Sequence, residues 1–102
     1  MGATGTTPYK RLGAWTARAA DTVYQAPTGG IAVAIAEVTA QVAYNLAAYT
    51  DAATPPTTQR EKIASINTGG VFVCCPVKKY DYWEIKTASV SNVSVWWISL
   101  EP

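Results

Sequence analysis

Asp81 and Glu84 are the one close pair of acids in an aromatic setting, flanked by Tyr80, Tyr82 and Trp83. Two carboxylates are the minimum equipment for glycoside hydrolysis. Their odd spacing, however, sends the two side chains of an extended segment to opposite faces, so they do not converge on one substrate. Histidine is absent, which removes the commonest general base and the commonest metal ligand. The remaining Lys and carboxylate groups show no nucleophile held by an oriented base. The expectation is a protein that is not an enzyme, with no catalytic residue, no metal ligand and no cofactor.

The cysteines, Cys74 and Cys75, are adjacent. Neighbours on a strand point to opposite faces, so they do not pair with each other. Neither belongs to a CxxC motif or a zinc-type spacing. Both are expected to be buried, reduced thiols without a catalytic role. The chain also carries four Trp and six Tyr. By alternation Trp97 shares a face with Val93 and Val95, and Trp96 shares the other with Ile98. One of these rings should be core and the other should lie at a second covered surface, a subunit contact rather than a ligand platform. Lys78 and Lys79, beside Asp81 and Glu84, read as a solvated turn whose ion pairs contribute about 0–1 kcal/mol each.

Such side chains need a scaffold, and 102 residues provide one domain. Charged residues make up 15%, well below the usual quarter, against 49% hydrophobic. A surface so short of charge usually has a large part covered by a partner. The net charge of +1 leaves no electrostatic footprint for nucleic acid or for an anionic membrane. No apolar run has the length of a membrane span, and the first dozen residues lack the apolar segment of a secretion signal. MGATGT at the start matches the short myristoylation pattern, which is frequent by chance and is set aside.

Strand and turn signals alternate along the chain at 13–18, 22–25, 31–38, 41–49, 60–67, 71–75, 76–86 and 93–100. In IAVAIAEV at 31–38, Ile31, Val33 and Ile35 alternate with Ala32, Ala34 and Ala36, giving one bulky and one small face, both apolar and both expected to be covered. A helix over 32–49 is the rival, since Ile35, Val38, Val42, Leu46 and Tyr49 recur at helical spacing. The β-branched alternation and the lack of a helix cap favour two strands. Thr28-Gly29-Gly30-Ile31 recurs as Thr68-Gly69-Gly70-Val71, each copy opening an apolar strand. The fold expected is all-β: a compact sandwich of about eight strands, jelly-roll-like, with two Greek keys. Residues 1–12 form an extended N-terminal arm and 13–102 the single β-sandwich domain. The arm has few apolar anchors and is expected to dock on an adjacent subunit or capsid, with Tyr9 packing and Lys10 and Arg11 meeting acidic groups.

PVKKYDYW at 76–83, then a polar turn and VSVWWISL at 93–100, resembles the end of small phage virion proteins, in which a Pro-Val-Lys-Lys-Gly-Asp-x-Trp-like segment precedes a last aromatic strand. GAWTA at 13–17, YQAPTGG at 24–30 and YTDAATPP at 49–56 are similar to the same group, which spans capsid decoration proteins, head-fibre modules and tail-fibre knobs. The resemblance implies a compact β-structure, a homo-oligomer and often a trimer, located on the virion after assembly in the host cytoplasm. It implies binding to the major capsid protein or another virion protein, as an auxiliary head (cement) protein. The alternative it implies is a tail-fibre or tail-tip knob that binds a host-surface glycan. The contact residues expected are Tyr9, Lys10, Arg11, Trp15, Tyr80, Tyr82, Trp83 and Trp96. Open, coplanar rings in a shallow groove would mark the knob, and rings covered between chains would mark the lattice protein. This chain has Tyr80 where the pattern has Gly. If that position needs positive φ, Tyr there is strained by about 1–2 kcal/mol.

Overall fold

The computed structural model describes residues 11–65 and 68–101. The elements run β1 (Arg11–Arg18), β2 (Tyr24–Gln25), β3 (Gly30–Val38), β4 (Tyr44–Asp51), β5 (Gln59–Ser65), β6 (Gly69–Val77), β7 (Tyr82–Ala88) and β8 (Ser91–Glu101). They form two four-stranded sheets, ordered β1-β8-β3-β6 and β2-β7-β4-β5. Every pairing is antiparallel. The molecule is therefore an all-β, two-sheet sandwich of eight strands. Among the described residues no helix is long and apolar enough to cross a membrane. Residues 32–49 form two strands, β3 and β4.

The core lies between the sheets, and three stacked rings dominate it. Tyr24 stacks on Trp83 at 5.0 Å, and Trp83 on Trp97 at 5.6 Å, with interplanar angles of 30° and 17°. Rings of this size leave little room opposite. Strand β3 accordingly turns Ala32, Ala34 and Ala36 inward, with Ala32 beside Trp97 in the register. At Gly30 a Cβ would lie 2.5 Å from the Trp97 ring, so no larger residue fits without displacing it. Leu46, Ala48, Val73, Cys75, Ile85 and Val95 complete the core. The small face of β3 is thus the inner one, and its bulky face points out.

Three expectations are corrected. The arm was placed at 1–12, but Arg11 and Leu12 open β1 and pair with Glu101 and Leu100. Both cysteines were expected to be buried. Alternation on β6 puts Cys75 in the core and turns Cys74 outward to solvent. Burial also raises the Cys75 thiol pKa, with the nearby Glu61 carboxylate adding to it. Finally, Trp83 was expected at a contact surface. It is 2% exposed and sits at the centre of the ring stack.

Candidate functional site

Registers across β1, β8, β3 and β6 place the outward side chains of the first sheet in rows. One row runs Trp15, Ile98, Ile31, Pro76, and the next Ala17, Trp96, Val33, Cys74. A third holds Ser94, Ile35 and Phe72. No charged residue interrupts them. Trp15, Ile35 and Phe72 are 57%, 48% and 65% exposed, and Leu12 beside them is 56% exposed. Beneath them Val33 and Ile98 are buried although they lie on the outer side, apart from the inter-sheet core. Trp15 and Trp96 cover this spot in an edge-to-face pair, 6.1 Å between centroids and 73° between planes. This sheet therefore carries a second, half-covered apolar cluster on its outer surface.

The other outer face differs. Its registers align Lys62, Ala47 and Lys86, then Gln59, Tyr49 and Glu84, then Asp51, Tyr82 and Gln25. The Lys86 ammonium lies 4.6 Å over the Tyr49 ring, and the Tyr49 hydroxyl donates to Gln59 at 3.2 Å. Tyr82, expected at a contact, stands half-buried on this polar side.

The remaining expected residues scatter. Tyr80 is 62% exposed in the β6–β7 turn with φ 72°, so the position does require positive φ. Its N–H donates to the Ala26 carbonyl at 2.7 Å, and its carbonyl accepts from Gln25 at 3.1 Å. Lys79 sits 4.9 Å over its ring. These contacts hold the turn against the strain. Arg11 is exposed at the start of β1. Tyr9 and Lys10 lie outside the described residues. Of the expected residues that are described, only Trp15 and Trp96 come together. Leu12, Ile35, Phe72 and Cys74 join them, and sequence reasoning missed these as contact residues. The signal was present in the bulky alternate positions of β3, whose strand neighbours line the same face.

Little else offers a site. Arg18, Tyr24, Gln25, Pro27, Trp83 and Trp97 line a cleft of about 50 Å³, room for a few waters. The Arg18 guanidinium caps Tyr24 there at 5.5 Å. Asp51 is held well below the usual carboxylate range by hydrogen bonds from Thr58, Thr57 and Ala53. Those bonds, 2.8 to 2.9 Å from the three N–H groups, fasten the 52–58 loop. Asp21 accepts from the Thr87 N–H at 2.9 Å and its hydroxyl at 2.7 Å, tying the β1–β2 connection to β7. Both acids thus perform structural tasks. Asp81 sits in the turn and Glu84 on β7, so the pair singled out in the sequence makes no shared site. Among the described residues no cluster of three or more metal-ligating side chains occurs.

No family model, curated protein or solved structure matches the chain.

Proposed function

We propose that this chain is a non-enzymatic structural protein of a phage virion, an oligomeric jelly roll that decorates or cements the head. The observation that carries the reading is the strand order. Sheets ordered β1-β8-β3-β6 and β2-β7-β4-β5 are what two interleaved Greek keys would give, which supports a jelly roll, an architecture that viral capsid proteins share with lectins and cupins. Fold alone is an argument by analogy. Three successive rows of the outer sheet face without a charged side chain, ending only at Glu37, support it independently, since such a surface works by being covered rather than by chemistry. The sequence resemblance points the same way. The knob alternative has less support. The near-parallel rings are stacked on one another inside the sandwich, and the solvent-side pair Trp15–Trp96 is edge-to-face.

Purified particles of the phage encoding this chain provide the test. Quantitative mass spectrometry should find the protein at many copies per particle, and immunogold should label the head. Absence from particles, or a few copies confined to the tail tip, would overturn the reading.

A further inference from the structure

We infer that the outer face of the β1-β8-β3-β6 sheet is a contact between two copies of this chain, packed sheet to sheet about a twofold axis. The inference rests on the reading that the protein acts by assembling, and names the surface it uses. Trp15, Phe72, Leu12 and Ile35 leave roughly 450 Å² of apolar surface open, taking whole aromatic side chains at about 150–250 Å². The partly exposed Trp96, Cys74, Pro76 and Ala17 add roughly 150 Å². A face of roughly 600 Å² is at the top of what monomers leave exposed. Two such faces would bury about 1,200 Å², above the roughly 1,000 Å² a specific interface needs.

The occupant follows from charge. The three apolar rows contain no ionic group, and Glu37, the next outward residue of β3, lies past their end with a hydrogen bond from Asn92, so a second copy brings no unpaired charge into the centre of the contact. The face also lacks the lysines and arginines that would hold it to an anionic bilayer. Elsewhere among the described residues, the large exposed apolar side chains are Val42 and Tyr80, and both lie off this sheet. Among the described residues the apolar face thus has no apolar counterpart except itself, which makes the contact isologous. The opposite outer face, with Lys62, Lys86 and Glu84, stays in water.

Sedimentation equilibrium of the full chain should show a reversible dimer. Phe72→Glu should weaken it by at least about 30-fold, the loss of the most exposed aromatic anchor and its replacement by a charge. Phe72 is exposed, so the variant remains folded, as circular dichroism would verify. Lys62→Glu, on the other outer face, should leave the dimer unchanged. Cys74 adds a second readout in the wild-type fold: its thiol should label rapidly when dilution yields monomer and at least about tenfold more slowly in the dimer. Monomer at all concentrations, a trimer, or a dimer indifferent to Phe72→Glu would overturn the inference. So would a monomer that floats with phosphatidylcholine vesicles, which would assign the face to lipid. A confirmed dimer that is missing from particles would defeat the virion reading and leave this one standing.

Discussion

Strands β3 and β4 occupy interior positions in their respective sheets, yet their outward side chains differ in kind. On β3 they are Ile31, Val33 and Ile35, and on β4 they are Asn45, Ala47 and Tyr49. The neighbours follow suit: Trp96, Ile98, Phe72 and Cys74 beside β3, but Lys62, Lys86, Glu84 and Tyr82 beside β4. The two sheets share one core, so the contrast has nothing to do with closing the sandwich. It shows where the chain's scarce charge has gone. A composition of 15% charged residues is not a uniformly pale surface; one outer face is stripped and the other is ordinary. A strand apolar on both sides is one made to be covered on both sides.

The largest expected effect comes from breaking the core under both faces. Trp83→Ala removes the middle ring of the stack and should cost about 3–5 kcal/mol in urea unfolding, enough to unfold most of a marginal domain. The comparison sharpens when one residue from each outer face is removed. Ile98→Ala, 3% exposed under the Trp15–Trp96 pair, should cost about 2–3 kcal/mol, as a core substitution does. Lys86→Ala loses its exposed contact with Tyr49 and should cost about 0.5 kcal/mol. Equal costs in the same denaturation assay would mean that the apolar face is no packed cluster.

The smallest effect tests the polar side. The carboxylate of Asp51 has a native pKa below its unfolded value of about 3.9, because the folded loop donates to its charged form. Its stabilising contribution is complete above that unfolded value and is lost as the pH falls toward the native pKa. Asp51→Asn should therefore lower stability at neutral pH. It should also flatten the acid limb of a stability profile below about pH 4. The apolar face, with no carboxylate in its three rows, should add nothing to that limb.

Much of this was legible from residue order. Alternation put Trp96 and Trp97 on opposite faces, one core and one outer, and set the cysteines on opposite faces. The β-branched positions chose strands over a helix at 32–49. The Gly position occupied by Tyr80 raised the question of a positive φ, and the backbone there has one. What alternation cannot supply is the identity of the inner face when both are apolar. Larger side chains ordinarily mark the inside, but Trp83 and Trp97 fill the space between the sheets, and β3 turns Ala32, Ala34 and Ala36 inward toward them. The same ring stack explains why Trp83 is core although it sits in a polar, tyrosine-rich segment. Cys74 is exposed because no other described residue covers its face. The arm boundary slipped because the pairing of Arg11 and Leu12 depends on Glu101 and Leu100, at the far end of the sequence.

That last pairing also governs the order in which the protein can come into being. Strand β8 lies between β1 and β3, and β1 has no other partner. A ribosome delivers β1 first and β8 last. Until the final strand emerges, one sheet is a pair, β3 with β6, and the opening strand waits unmatched. The sheet whose outer face is apolar is therefore completed after the other, by inserting a strand into its middle, a step slow by its long loop closure. Throughout that interval the facing edges of β1 and β3 are unpaired, and Val33 and Ala32 lack Trp96 and Trp97, on nascent chains that share a polysome, so a longer interval favours association of incomplete chains.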